Sequence, residues 1–183
     1  MVSPVTDYEQ IFIGSLDGFM YALEKNTGKV NWKRNLDFPV RSTAAIEGNV
    51  LHLGVYGFLY ALDTLTGRQI WKSNINGAIY AKALLSKNKI YLGSYERNIA
   101  AFEQLGGSLI WHLNSVGSIK SSLVAYNDWV FVGCQLGWLY AIDAKTGRFQ
   151  WKYALGEPII YTPFLIGGRL IICGHKLYIF TCN

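Results

Sequence analysis

The stretch that decides the fold is Tyr60-Ala61-Leu62-Asp63-Thr64-Leu65-Thr66-Gly67-Arg68-Gln69-Ile70-Trp71. An apolar run ends in a carboxylate, a Thr-Gly turn follows, and a tryptophan stands four residues beyond the glycine. The same text recurs as Tyr21-Ala22-Leu23-Glu24-Lys25-Asn26-Thr27-Gly28 before Trp32, and as Tyr140-Ala141-Ile142-Asp143-Ala144-Lys145-Thr146-Gly147 before Trp151. A degenerate copy, Ala100-Ala101-Phe102-Glu103-Gln104-Leu105-Gly106-Gly107, precedes Trp111. The four tryptophans are therefore spaced by 39, 40 and 40 residues, the signature of a tandem repeat. Upstream of each copy an apolar run closes on glycine: Ile11-Phe12-Ile13-Gly14, Leu51-His52-Leu53-Gly54, Ile90-Tyr91-Leu92-Gly93 and Val130-Phe131-Val132-Gly133. A fifth run, Leu170-Ile171-Ile172-Cys173, carries cysteine in the glycine position.

Each unit reads as four short strands; in the second they fall at about 41–46, 49–55, 58–63 and 68–74, with turn residues every eight to twelve positions. The two middle strands are almost continuously apolar, as expected where both faces of a sheet are covered, whereas Arg68-Gln69-Ile70-Trp71-Lys72 alternates like a wet outer strand. Alanine at 22, 61, 101 and 141 supplies a thin spot where a neighbouring sheet can approach. Gly28, Gly67, Gly107 and Gly147 stand where the turn needs positive φ, and the acid four residues earlier (Glu24, Asp63, Glu103, Asp143) is placed to accept turn amides. Recurrence of the acid in one structural position argues for turn capping and against acid–base chemistry.

Stacked four-stranded units of this length suggest the blades of a β-propeller. The text Gly14-Ser15-Leu16-Asp17-Gly18-Phe19-Met20-Tyr21-Ala22-Leu23-Glu24, continued by Thr27-Gly28 and Trp32, resembles the pyrroloquinoline-quinone-type (PQQ-like) propeller repeat over essentially the whole chain. The Ser-Pro of that family's innermost strand is matched by Ser3-Pro4 and Thr162-Pro163, with Thr43-Ala44, Lys82-Ala83 and Ser122-Leu123 in the corresponding positions. The resemblance implies an all-β propeller in which Trp32, Trp71, Trp111 and Trp151 dock each blade on the next. It predicts one domain over 1–183, with complete four-stranded antiparallel blades at about 2–38, 39–77, 78–116 and 117–156 and a three-stranded fifth at 157–183. So short an arc leaves apolar blade faces uncovered, which predicts an incomplete ring belonging to a larger propeller, self-association, or an unusual five-bladed closure.

Composition agrees with a folded, sheet-rich protein: of 183 residues 51% are apolar, 16% charged and 15% aromatic. The formal charge of +5 comes without a basic run, so no nucleic-acid role is expected. No stretch approaches the ~20 apolar residues of a membrane-spanning helix. The first twenty residues lack a signal-peptide pattern, which as written suggests a cytoplasmic address, or an extracytoplasmic one if the chain is a piece of an exported protein.

The resemblance also raises an enzymatic reading. Quinoprotein dehydrogenases with this repeat hold PQQ against a vicinal disulfide and a Ca²⁺ site built from acids and Asn. Cys134, Cys173 and Cys182 are not adjacent, and no Glu/Asn/Asp cluster stands out. His52, His112 and His175 are scattered one per unit, unlike metal ligands. The expectation is no catalytic residue, metal or cofactor. Propellers bind partners at one rim, and here Arg41, Tyr80, Lys82 and Lys120 would surround the channel mouth, with Tyr56, Glu96 and Arg97 in the turns. That mixture suits an acidic peptide or small anion. The best reading is a non-catalytic PQQ-like propeller acting as a protein-binding scaffold or accessory module, similar in repeat text to outer-membrane assembly lipoproteins. The alternatives are a fragment of a PQQ-dependent quinoprotein dehydrogenase or the C-terminal propeller of an adenylate-forming enzyme.

Overall fold

The computed structural model describes residues 2–182, in which every regular element is a strand and every sheet an antiparallel meander. The first sheet comprises β1 (Val5–Thr6), β2 (Gln10–Gly14), β3 (Phe19–Glu24) and β4 (Val30–Asn35). The second holds β5 (Ala45–Glu47), β6 (Val50–Val55), β7 (Phe58–Asp63) and β8 (Gln69–Asn74), and the third β9 (Leu84–Ser86), β10 (Lys89–Gly93), β11 (Asn98–Glu103) and β12 (Leu109–Asn114). In the fourth are β13 (Val124–Tyr126), β14 (Trp129–Gly133), β15 (Trp138–Asp143) and β16 (Phe149–Ala154). The last has three strands, β17 (Phe164–Ile166), β18 (Arg169–Cys173) and β19 (Leu177–Thr181). This is a propeller of four four-stranded blades and a three-stranded fifth.

Burial follows the hydropathy pattern. In β6 every residue after Val50 is buried, while β8 alternates half-buried and exposed. The first strand of the second sheet is shorter than its expected span, starting at Ala45. Residues 40–44 are engaged differently: Val40 packs on Gly14 of the preceding sheet, and the buried Ser42 hydroxyl donates to the Gly54 carbonyl.

One cross-strand row explains the alanine. Ala22, Ala61, Ala101 and Ala141 are fully buried and pair with Trp32, Trp71, Trp111 and Trp151 on the fourth strand, just before a register shift. The indole passes over the alanine to meet a ring on the second strand. Phe12, His52, Tyr91 and Phe131 lie 6.0, 5.6, 5.8 and 5.9 Å from their respective indoles.

Adjacent sheets interlock at two glycine positions. A β-carbon on Gly14, Gly54, Gly93 or Gly133 would come within 2.1–2.4 Å of Val40, Ile79, Ile119 or Ile159, the residue that leads into the following sheet. At the opposite rim the indoles of Trp32, Trp71 and Trp111 cover Gly67, Gly107 and Gly147 of the next sheet. Trp32 and Trp111 also donate Nε1–H to the carbonyls of Thr64 (2.9 Å) and Ala144 (3.2 Å). The core is thus a series of four inter-sheet layers, each closed by an aliphatic plug at one rim and the first three by an indole at the other.

Candidate partner-binding rim

The rim opposite the tryptophans is built from the turns between second and third strands and the loops leading into each new sheet. Backbone bonds stitch each turn to the incoming loop: Val40 N–H donates to Ser15 O (2.9 Å), Tyr95 to Ala78 O (2.8 Å), Ile119 to Ser94 O (3.0 Å) and Gln135 to Ser118 O (2.9 Å). Carboxylates reinforce the seam. Glu96 accepts from Ala78 N–H at 2.6 Å, and Glu157 from the amides of His175 and Lys176 at 2.7 and 3.2 Å. The turns are therefore rigid platforms, and the side chains they project are held without long loops.

Arg41 and Tyr80 share the wall of a cavity of about 850 Å³ with Asp17, Tyr21 and Leu16. The Tyr21 hydroxyl donates to Asp17 at 2.6 Å; that bond, aided by the Phe19 amide, holds the Asp17 carboxyl below its usual range and raises the Tyr21 phenol. Tyr80 meets Tyr95 edge-on at 5.9 Å, and the Lys120 ammonium lies 5.3 Å from the Tyr95 ring centre. Tyr56 packs on Phe38 at 5.4 Å. Phe38, Tyr56, Tyr80 and Tyr95 are each more than a third exposed.

One of the residues expected around the channel mouth is placed differently, and Arg97 stands in its turn as expected. Lys82 lies in a separate groove with Ala45, Leu84, Ser122 and Thr162, on the side where the innermost strands adjoin. A hydroxyl ladder links the sheets there: Ser3 N–H donates to Thr43 Oγ1 (3.1 Å), Lys82 N–H to Ser122 Oγ (3.1 Å) and Ser122 N–H to Thr162 Oγ1 (3.2 Å). Lys82 occupies a hydroxyl position in that ladder. Arg97 is exposed in its turn at φ 71°, with its carbonyl accepting from Ser115 N–H at 2.8 Å. Phe38, Tyr95 and Asp17 were not anticipated at the rim. Tyr95 could have been found by adding one repeat length to Tyr56.

Trp32 and Trp71 are half-buried, Trp111 is 8% exposed and Trp151 is 40% exposed. Of the four turn acids, Asp63 and Asp143 each accept two turn amides and a threonine hydroxyl. Glu24 reaches only the Thr27 hydroxyl, and no turn amide donates to the Glu24 or Glu103 side chain among the described residues. The extra methylene carries the glutamate carboxylate past the amides that an aspartate meets directly.

His52 is fully buried against Trp71 with both ring nitrogens unpartnered, and burial pushes its pKa down to about 4. His112 Nε2 lies 2.7 Å from Asn98 Oδ1 on the outer surface. Cys134 is buried, Cys173 exposed and Cys182 half-buried, all three free. Among the described residues no group of three or more His, Cys, Asp or Glu side chains converges, and no helix is long and apolar enough to cross a membrane. Among the described residues no two cysteines are adjacent and no acidic cluster forms the cation site that the resemblance associates with a PQQ centre of the dehydrogenase type.

The sequence matches the family described as outer membrane protein assembly factor BamB over residues 1–74 and 95–179. Compared with curated proteins, it matches none. Among solved structures, BamB from Moraxella catarrhalis superposes with a TM-score of 0.84 at 22% identity, over 99% of this chain and 57% of the other. The computationally designed Ika8 protein gives 0.85 at 14% identity, over 97% and 57%. Quinohemoprotein alcohol dehydrogenase from Comamonas testosteroni gives 0.78 at 16%, over 93% and 39%. At these identities the likeness is one of fold, and the chain spans little more than half the length of the first two.

Proposed function

The chain belongs to the family of outer membrane protein assembly factor BamB, and on that premise we propose that it is a non-catalytic repeat scaffold whose aromatic and cationic rim binds another protein. The observation that carries this reading is the linked row Tyr80–Tyr95–Lys120 beside the Arg41 cavity. Exposed tyrosines held on stitched turns provide large contact area at low entropic cost, and Tyr and Arg dominate the energetics of protein interfaces. Among the described residues the one ion pair is Lys87–Asp128, so Arg41, Arg97 and Lys120 are free to meet carboxylates. An acidic, extended segment of a partner protein fits that chemistry. The family's role makes a component of outer-membrane protein assembly the first partner to test.

The test is site-specific photocrosslinking in cells. A crosslinker replacing Tyr56 or Tyr80 should give a discrete heteromeric adduct, while one replacing Thr66 or Lys145 on the opposite rim should give none. Adducts of equal yield at both rims, or at neither, would overturn the proposal. Stoichiometric binding of PQQ in the presence of Ca²⁺ would instead favour a quinoprotein fragment.

A further inference from the structure

Two of the inter-sheet layers gather donors on one backbone carbonyl. Between the first and second sheets, Thr64 O accepts from Trp32 Nε1 (2.9 Å) and Gln10 Nε2 (3.1 Å). Between the third and fourth, Ala144 O accepts from Trp111 Nε1, Lys89 Nζ and the Tyr91 hydroxyl, each at 3.2 Å. Gln104 holds the same position in the third sheet: its amide donates to Asn88 O, as those of Thr64 and Ala144 donate to Asn49 O and Asp128 O. On the second sheet, which faces it, Val50 replaces Gln10 and Lys89, and His52 replaces Tyr91. Among the described residues no side chain donates to the Gln104 carbonyl, and Gln104 instead sends its own Nε2–H to Glu47 of the second sheet.

His52 and Glu47 share one face of the second sheet, because His52 pairs with Ala45 and Glu47 lies two residues farther along β5. That face meets the third sheet: Leu59 and Trp71, which project from it, pack with Ile90, Leu92 and Phe102. His52 and the Gln104 side chain therefore enter the same layer. There His52 is 1% exposed with no protein partner at Nδ1 or Nε2, and Gln104 Oε1 is buried without one. Among the described residues these three are the only buried side-chain nitrogen or oxygen atoms left so, and all three fall in one layer. Folded proteins leave few buried polar atoms unpaired and commonly satisfy the remainder with ordered water.

Ring size decides how the two residues meet. The outer nitrogen of an imidazole stops about 2 Å short of where a phenol at the same position carries its oxygen, so a carbonyl within reach of tyrosine stands about 5 Å from the histidine ring, too far for a direct bond and the span of one molecule making two bonds of about 2.8 Å. We infer that an ordered water is bound between the second and third sheets, joining the His52 ring to Gln104 as the Tyr91 hydroxyl joins the third sheet to Ala144. Water suits both partners. A neutral imidazole presents one donor and one acceptor, and water answers either while it donates to a Gln104 oxygen. The apolar side chains of Leu59, Ile90, Leu92 and Phe102 offer no competing partner. The site lies inside the stack and does not depend on the rim.

A crystal structure of the protein at atomic resolution, joined to oxygen-17 relaxation dispersion in solution, tests it. The expected density is one fully occupied water within hydrogen-bond distance of a His52 ring nitrogen and of either Gln104 Oε1 or the Gln104 carbonyl. His52→Tyr, which installs the residue found at the same position of the third sheet, should expel that water and bring the phenol oxygen to the Gln104 carbonyl. Relaxation dispersion should then count one long-lived internal water fewer than in the unaltered protein. A direct bond from His52 to Gln104, a site without density, or equal counts of long-lived waters in the two proteins would overturn the inference. Should the variant fail to fold, the density in the unaltered protein decides alone.

Discussion

The indole of Trp32 lies against Gly67 of the following sheet so closely that a β-carbon at 67 would stand 2.5 Å from its Cε3. Trp71 and Gly107 repeat the contact at 2.5 Å, and Trp111 and Gly147 at 2.7 Å. Glycine in the Thr-Gly turn is thus required twice, by its positive φ and by the ring above it. Gly28 in the first sheet shares the φ, 71° against 68° at Gly67, but has nothing within 4 Å.

That difference separates the two requirements. Gly28→Ala should cost about 1 kcal/mol for the backbone conformation alone. Gly67→Ala must also displace a packed indole and should cost about 3 kcal/mol or more. Urea denaturation of the two variants measures both terms, and equal losses would show that the indole contact carries no weight.

The tryptophans should likewise differ. Trp111, 8% exposed and bonded to the Ala144 carbonyl, should lose about 3–5 kcal/mol on change to alanine. Trp151, 40% exposed and stacked on Phe180 at 6.1 Å, should lose about half of that or less. Thermal unfolding ranks them, and a larger loss at Trp151 would contradict the docking geometry.

His52 gives stability a pH dependence of defined sign. Its folded-state pKa of about 4 lies below the ordinary 6.5, so the unfolded chain binds a proton that the folded chain refuses. Stability is complete above pH 6.5, falls as pH drops toward 4 and levels off below, for a total of roughly 3 kcal/mol. His52→Phe, which installs the ring found at Phe12 and Phe131, should flatten this slope, as read by denaturation at pH 7 and 4.5. A slope unchanged by the substitution would assign it to other groups.

The turn acids should divide by length. Hydrogen bonds from the adjacent threonine and turn amides hold Asp63 and Asp143 below the usual carboxylate range, so their caps persist at neutral pH and are lost as acid protonates them. Asp143→Ala should cost at most about 1 kcal/mol because the site is solvent-exposed, and Glu103→Ala should be close to neutral. Chemical denaturation at pH 7 distinguishes the pair.

Much of the candidate site was legible because the rim residues sit on a repeat. Arg41, Tyr56, Tyr80 and Lys120 could be placed at one end of the sheets from strand direction alone, since side chains at turns between known strands have few places to go. Lys82 was expected at the channel mouth although its repeat position matched Ser3, Thr43, Ser122 and Thr162 of the innermost strand, and that position is what carries it into the inner hydroxyl ladder and a different groove. Tyr95 lies one repeat beyond Tyr56 and was legible from that spacing, whereas Phe38 entered the rim only through its ring contact with Tyr56.

The sequence by itself determined the sheets, because forty-residue periodicity, apolar middle strands and Thr-Gly turns are local signals that each repeat states independently. Only the tertiary structure decided why particular small residues are there. Gly54 is small because Ile79, twenty-five residues later, fills the space of its missing side chain, and Ala61 because Trp71 crosses it to reach His52. The repeat marks these positions as small, but the reason lies in contacts across a sheet and between sheets, and spacing along the chain does not say which side chain fills the space.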